Sequence, residues 1–543
     1  MTPASTSADS ASSHEAVPDD VCGRFRRLVR TDASLQYKVE LVKSGMVDGP
    51  AGPGTLGTGD RLDHLRAYSA RLRNGEYTSV QDCSVDSDPD QDGERKAERV
   101  WSTGASVAYV ARKAGRRELV LSMPPVSRVG GGQRRNVVVA LDDFGQDALV
   151  ATDYTQDLLV GVSRHIDDCS NFQIRIGSLN SGRLGHPMAR DALLQTSAFD
   201  IYVQHAPADV EALRIYSQYI FLVVFVDQMG PYDFQIWNWM TGTLLMKTVV
   251  VSMGTPRFTL IDNEHFAVIG SRDSEISIYR ITPDAGSMTV ATPEARLVLP
   301  GASVRRSPNT PPVFFFIHEI SVSLPISPST HDSATREPFT MNPDSAVLFI
   351  NLATATGLEA RNYVLLVPMS SLRASMEYVY GSSESQQSLG WDEWGSGALL
   401  LHSRGLEGAD SRIYPSRHWR PYGSRMPVLV YPQGPDGAIS KLLIIEMDPS
   451  AVKYSRGMGD MEERGQAEGA VASLRKHVQL DLHGHQLRPN YTVYPGPTLS
   501  LTRRFKGDEI VLDEHSASIS FGDSPGEHWH ENAIYGFQTW VLG

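Results

Sequence analysis

From about residue 101 onward, short runs rich in Val, Ile, Leu, Phe and Tyr alternate with clusters of Gly, Pro, Asp and Asn. "RELVLSM", "RNVVVALDD", "QDLLVGV", "FQIRIGSL", "RIYSQYIFLVVFV", "HFAVIG", "YVLLVPM", "PVLVYP" and "KLLIIEM" are such runs. They predict strands bounded by turns, and most gaps between them are too short for the helical crossovers of a parallel α/β sheet. Residues 101–543 are therefore expected to form a nearly all-β body.

Upstream the periodicity is helical. Val21, Phe25, Leu28 and Val29 recur at helical spacing, with Cys22 beside them. Asp32 stands where an N-cap would start a second helix, with Leu35, Val39 and Val42 on one face. Asp60 can cap a third helix, with Leu62, Leu65 and Leu72 inward and "NG" at 74–75 ending it. Residues 1–20 are almost wholly polar and read as a disordered tail, and "SVDSDPDQDGERKAE" (84–98) is charged and aperiodic, as a linker would be. The expected organisation is a tail at 1–20, helices at 21–45, a further helix and acidic linker at 46–100, and the β body.

A weak internal repeat specifies the body further. "FQIWNWMTG" (234–242), "ISIYRITPDAG" (276–286) and "VLFINLATATG" (347–357) share alternating apolar residues, a polar step and a turn closed by Gly. The first interval, 42 residues, fits the period of about 40–45 of a WD-type β-propeller blade; the second, 71, fits a blade plus the Ser/Pro-rich insertion at 323–340. "WNWMTG" falls where such a blade places its outer strand and a turn. A mainly β, propeller-like fold of roughly six to eight blades follows. The strand-like terminus "AIYGFQTWVLG" suits a last blade that is closed by a strand from the opposite end of the body. A sandwich, or two smaller β domains, is the alternative.

Composition narrows the function classes. The chain has 543 residues, of which 41% are hydrophobic, so a large core is available. A net charge of −13 argues against a general nucleic-acid binder, and the basic runs "RFRRLVR" and "GGQRR" read as solvated faces. Cys22, Cys83 and Cys169 form no disulfide framework or metal motif and suit a reducing compartment. There is no apolar signal segment, and the longest apolar run, 219–226, is far shorter than the ~18 residues of a spanning helix. It reads as a buried strand. A soluble protein of the cytoplasm, the nucleus or both is expected, with no membrane partner and an unglycosylated sequon at Asn490.

Several motifs imitate chemistry. "GDSPG" (522–526) spells a nucleophile elbow around Ser524, but the oxyanion donor after the serine would be Pro525, which has no N–H. "DPDQDG" offers Asp88, Asp90, Asp92 and Gly93 of a calcium loop, yet its twelfth position is Arg99 in place of Glu, with Glu98 one residue short. His483 with His485, and His528 with His530, could each face one metal from a strand, but no cysteine joins them, and they read as loop histidines. "RVGGGQRR" lacks the strand–helix context of a dinucleotide site. No catalytic residue, metal site or cofactor is expected.

The leader carries a more specific likeness. "VCGRFRRLV" resembles the "VC-x-x-F/W-x-x-L" segment of an F-box, the module that docks substrate receptors on the Skp-type adaptor of a Skp–cullin–F-box ubiquitin ligase. "RFRRLVRTDASLQYKVELVKSGMVDG" followed by "RLDHLRAYSARLRN" is similar to the leader of mushroom-type fungal F-box proteins, whose β-rich body contains "WNW-x-TG". The specific likeness covers about residues 21–74 and a looser one 138–280. It departs at the start: an F-box opens with an apolar "LP-x-E-[LI]-x-x-x-I" helix, where this chain has "SHEAVPDD". Either the module has lost part of its adaptor contact or the gene begins upstream of Met1, and the second is the expectation.

The resemblance implies a substrate receptor, not an enzyme, with a Skp-type adaptor, a cullin and an unidentified protein substrate as partners. Val21, Cys22, Phe25 and Leu28 would contact the adaptor. Trp391 and Trp394 in "GWDEWGSG", and Trp419 and Tyr422 in "RHWRPYG", are aromatics in polar loops and are candidate anchors for the substrate; the alternative is that the tryptophans pack between blades. An interaction propeller with a vestigial F-box, and a propeller-fold hydrolase with acids or histidines around its channel, are the rival readings.

Overall fold

The computed structural model describes residues 19–49, 56–84, 98–103, 107–113, 115–123, 135–145, 147–165, 168–198, 209–225, 232–252, 254–281, 292–300, 313–322, 339–356, 359–381, 387–395, 397–403, 411–413, 421–432, 440–453, 491–499, 510–512, 516–523 and 533–542. The leader is α1 (Asp19–Thr31), α2 (Ala33–Lys43), the short strand β1 (Met46–Asp48) and α3 (Thr58–Asn74), followed by β2 (Tyr77–Ser84).

Antiparallel four-stranded units then follow one another. Blade 1 is β3 (Glu98–Thr103), β4 (Val107–Lys113), β5 (Arg116–Met123) and β6 (Arg135–Ala140). Blade 2 is β7 (Leu149–Asp153), β8 (Leu158–His165), β9 (Asp168–Ser178) and β10 (Leu193–Ser197). Blade 3 is β11 (Asp209–Tyr216), β12 (Tyr219–Phe225), β13 (Tyr232–Asn238) and β14 (Thr243–Val250). Blade 4 is β15 (Pro256–Leu260), β16 (His265–Gly270), β17 (Glu275–Arg280) and β18 (Ala295–Val298).

Blade 5 uses β19 (Val313–Val322), then β21 (Val347–Thr356), β22 (Glu359–Pro368) and β24 (Leu399–His402). The skipped strand β20 (Phe339–Met341) pairs instead with β1 of the leader. Between β22 and β24 lie α4 (Met369–Gly381), β23 (Gln387–Leu389) and α5 (Trp391–Trp394). β23 adds a fifth strand, in parallel, to the edge of β18 in blade 4. Blade 6 is β25 (Ser411–Ile413), β26 (Arg425–Pro432), β27 (Ser440–Glu446) and β28 (Thr492–Leu499). Blade 7 is β29 (Ile510–Leu512), β30 (Ser516–Asp523) and β31 (Ala533–Leu542), completed by β2.

Among the described residues the sheets thus make seven blades of a β-propeller. Blades 1 and 2 are joined because β3 pairs antiparallel with β4 through Glu98–Val100 and parallel with β7 through Trp101–Thr103. The last blade is closed by the opposite end of the chain: Tyr77 pairs with Leu542 and Ser84 with Gly536. The closing strand lies upstream of residue 101, where the sequence pattern starts the body, and β3 itself begins at Glu98. "YTSVQDCS" has too little apolar alternation to announce a strand; its identity comes from the partner that β31 needs.

The core lies between blades. β12 shows how, because Tyr219 to Val224 are all buried. Ile220, Leu222 and Val224 join Val160, Ile174 and Ile176 of blade 2, whereas Phe221 and Val223 join Phe258, Phe266 and Val268 of blade 4. A strand buried on both faces must be apolar at every position, which is why "YIFLVVF" does not alternate. Similar apolar layers join blades 1 and 2, 4 and 5, and 5 and 6. No helix among the described residues is long and apolar enough to cross a membrane.

The repeat maps unevenly onto this ring. "FQIWN" lies in β13 and "ISIYR" in β17, both third strands of their blades. In "WNWMTG" the Asn238 side chain accepts the Met240 and Thr241 N–H groups, and Gly242 takes φ +70° to close the turn into β14, the outer strand. "VLFINLATAT" is β21, however, the second strand of blade 5. The 71-residue interval therefore mixes a blade, an insertion and a shift of one strand. Alternation alone cannot number strands within a blade.

Candidate functional site

The helical leader is built locally as its caps direct. The Asp32 carboxylate accepts the Ser34 and Leu35 N–H groups at 2.8 and 3.1 Å and starts α2. α3 starts two residues before Asp60, with Gly57 at its N-cap; Asp60 sits in the first turn, where its charge suits the helix dipole. Gly75, left-handed at φ +64°, ends it, and Leu62, Leu65 and Leu72 are buried as the spacing requires.

α2 corrects the sequence reading. Its buried residues are Tyr37 and Leu41, not the stripe of Leu35, Val39 and Val42. Both stripes have helical spacing, and a polar anchor decides between them. The Tyr37 hydroxyl donates to Asp48 Oδ1 at 3.0 Å, and the same oxygen accepts from Arg61 of α3 at 2.5 Å. Burial, then the bond to Asp48, push the Tyr37 pKa up to about 12. Of the other stripe, Leu35 is half-buried while Val39 is 37% and Val42 59% exposed; on α1, Leu28 is 56% exposed.

The leader is joined to the ring through Arg425 at the start of β26. Its Nε–H donates to Glu446 Oε2 at 2.8 Å, with both side chains buried. The same guanidinium hydrogen-bonds the Tyr68 hydroxyl of α3 and reaches the Ser44 carbonyl at the end of α2, 3.4 Å away. Burial opposes the cation, but Tyr68, Glu446 and Tyr494 outweigh it and hold the Arg425 pKa above the ordinary arginine value. Around this joint Tyr37, Leu41, Leu62, Leu65, Tyr68 and Leu72 share one apolar core with blades 5 and 6. α2 and α3 are thus fixed to a rigid support, while Leu28, Val39 and Val42 stay exposed.

Of the candidate adaptor residues, Val21, Cys22, Phe25 and Leu28 all lie on α1. Leu28 is exposed, and the side chains of the other three lie outside the described set.

The candidate anchors Trp391 and Trp394 are corrected. Neither is an exposed loop aromatic: both are buried in the core between blades 4 and 5. Their rings meet edge to face at 4.9 Å, and the Trp394 Nε1–H donates to the Val298 carbonyl of β18 at 2.8 Å. In "GWDEWGSG" the polar flanks suggest a loop, but i and i+3 share a helix face, so α5 turns both tryptophans inward. A Cβ on Gly395 would sit 2.6 Å from the Trp391 ring. Tyr422 is half-buried against the blade 5–6 core and bridges to Arg425 through backbone bonds of 2.8 and 3.0 Å; Trp419 lies outside the described residues.

Beside α5 is an open groove of about 560 Å³, lined by Ser370, Ser371, Ala374, Ser375, Tyr378, Leu389 and Glu393. The Glu393 carboxylate is already committed, accepting the Gly390 N–H at 2.6 Å.

Titratable groups at the described inner strands brace the ring. Arg214 of β11 donates to the Phe258 carbonyl of β15 at 2.5 Å and to Glu319 of β19 at 3.1 Å, spanning blades 3, 4 and 5. His265 lies 2.9 Å from Asp262 and 3.5 Å from Glu294, but Asp262 is a turn residue that also accepts the Glu264 and His265 N–H groups. Burial would raise the Asp262 pKa, and these bonds bring it below the usual carboxylate value. Among the described residues no group of three or more His, Cys, Asp or Glu side chains could hold a metal ion. Ser524, the Asp88–Gly93 loop and the histidines at 483, 485, 528 and 530 lie outside the described residues.

No family model matches the sequence, and no curated protein matches it. Among solved structures, the C-terminal WD40 domain of Sif2 aligns over 87% of this chain and 99% of its own, with 10% identity and a TM-score of 0.33. The WD40 domain of SCAP from fission yeast aligns over 82% and 95%, with 9% identity and a TM-score of 0.33. The β-propeller domain of Nup133 from Vanderwaltozyma polyspora aligns over 86% and 100%, with 7% identity and a TM-score of 0.29. Likenesses at this level carry no argument about activity or partners; the β-propeller fold of this chain stands on its seven blades among the described residues and on the closure of β31 by β2.

Proposed function

We propose that this protein is a non-catalytic receptor of the F-box type, which binds an adaptor through its helical leader and a protein substrate through its propeller. The observation that carries the reading is the exposed apolar set on the hairpin: Leu28 of α1, with Val39 and Val42 of α2, whose buried residues Tyr37 and Leu41 join the core shared with blades 5 and 6. An exposed apolar stripe on a rigid support is what a docking element needs, because little ordering entropy is lost on binding. The resemblance of residues 21–74 to fungal F-box leaders supplies the partner, a Skp-type adaptor carrying a cullin. In this reading the propeller presents its variable loops on a rigid ring to the protein to be ubiquitinated.

Binding of the full-length chain to a purified Skp-type adaptor tests this directly. Association that is lost in Leu28→Asp/Val42→Asp, with the thermal transition unchanged, is the expected result. No association with adaptor, and no cullin recovered with the protein from its native cell, would leave an interaction propeller without a ubiquitin role.

A further inference from the structure

The groove of about 560 Å³ beside α5 is built by three elements of the insertion between β22 and β24. Met369, Leu372, Met376 and Val379 hold α4 on the core between blades 4 and 5, so the side with Ala374 and Tyr378 turns outward, and Tyr378 is 64% exposed. Trp391 and Trp394 take the inner side of α5, which leaves Asp392 and Glu393 exposed. Leu389 of β23 shares a face with Leu297, its partner across the pairing with β18, and gives the groove an apolar floor. The charge around this groove has one sign. α4, β23 and α5 hold three carboxylates, Glu377, Asp392 and Glu393, all exposed, and one cation, Arg373, which is paired with Asp344 at 3.1 Å. Arg296 of β18 stands opposite Ser388, on the face away from Leu297 and Leu389, and lies 3.9 Å from Glu275. The capping bond from Gly390 occupies Oε2 of Glu393, and Oε1 accepts no hydrogen bond among the described residues. β23 ends its sheet, so no strand among the described residues pairs with its outer edge.

From this arrangement we infer that the groove takes an extended segment of a partner protein through an arginine or lysine side chain. The aliphatic stem lies on Leu389 and Ala374, and the cation sits against Glu393 and the exposed Tyr378 ring. The flanking backbone runs along the open edge of β23. The strand that supplies the floor is also an open sheet edge, and main-chain hydrogen bonds there favour a peptide over a free small cation. This deepens the substrate half of the receptor reading, on which it rests, and involves no residue of the leader.

The test measures fluorescence anisotropy of labelled short peptide mixtures, with arginine, lysine or glutamine fixed at the centre, against the full-length protein. The arginine and lysine mixtures should bind about tenfold or more tighter than the glutamine mixture. Glu393→Gln keeps an acceptor for the Gly390 N–H while removing the charge, and should weaken the basic mixtures about tenfold. Tyr378→Ala should weaken them about threefold. Ala374→Arg, at an exposed helical position, fills the groove with a side chain of the chain itself and should abolish binding. An unchanged thermal transition checks the fold of each variant. Equal binding of basic and glutamine mixtures would overturn the inference. So would a preference that all three variants keep in full, because it would then come from the net charge of −13 and not from the groove. Argininamide binding as tightly as the peptides would show that no backbone is held, and would overturn the peptide as occupant. No arm reads adaptor association, so failure here leaves the receptor reading to its own test.

Discussion

The Arg425 guanidinium lies over the Tyr68 ring, its carbon 5.5 Å from the centroid, and so ties the first strand of the pair β26–β27 to the last long helix of the leader. Both residues are buried, and Glu446 supplies the counter-charge. This makes the leader part of the propeller core and not an appendage on a linker. Removing one member of a buried ion pair leaves the other charge without compensation, which costs about 3–5 kcal/mol. Arg425→Met is therefore expected to lower the denaturant midpoint sharply, and Arg425→Met/Glu446→Leu to recover part of the loss. A double-mutant cycle in urea measures it; a loss in the double variant equal to the sum of the two single losses would show that the pair does not act as a unit.

Trp394 is fully buried between blades 4 and 5, and Trp391 nearly so. Trp394→Ala should cost about 3–5 kcal/mol, as large aromatic deletions in cores do. The same substitution should reduce partner binding only in proportion to the folded fraction. Equilibrium unfolding together with binding at matched folded concentration separates the two effects. A stable variant with selectively lost binding would return Trp394 to the role of an anchor.

How much of this was legible in the sequence depended on whether local spacing or a distant partner decides. β12 could be read as buried because both of its faces are apolar, and Asp32 could be read as a cap because capping is local. The inward side of α2 could not be read, because the stripe of Val39 and Val42 and the stripe of Tyr37 and Leu41 have equal periodicity. The choice was made by Asp48 and Arg61, outside the helix. β2 was hidden for the same reason: its polar "YTSVQDCS" is a strand only because β31 needs an outer neighbour. Trp391 and Trp394 were misplaced because a four-residue helix is too short to show a period. A charged residue directly before an apolar strand, as in "RMPVLVYP", was the one available sign of Arg425.

Several buried tyrosines make the fold sensitive to alkali. Burial raises the pKa of Tyr37, Tyr232, Tyr279 and Tyr494 above the ordinary value of 10.0. A raised tyrosine pKa means that the folded state keeps its proton while the unfolded chain loses it. The stabilisation is fully present below pH 10.0 and is lost as pH rises toward the folded value, about 12 for Tyr37. Tyr37→Phe removes one such group and should make the alkaline decline of stability shallower by about one proton. Urea midpoints between neutral pH and the alkaline limit give that slope, and an unchanged slope would mean that Tyr37 ionises alike in both states.

The two sides of α2 give the plainest contrast. Leu41 is 6% exposed in the core shared with blades 5 and 6, so Leu41→Ala should cost about 2–5 kcal/mol. Val42, its neighbour in sequence, is 59% exposed, and Val42→Ala should change stability by no more than about 0.5 kcal/mol. An apolar side chain that contributes so little to the fold is free to be used against a partner. Paired unfolding curves check it: a large loss for Val42→Ala would mean that this side of the hairpin is covered within the chain itself, and the docking face would have to be sought elsewhere.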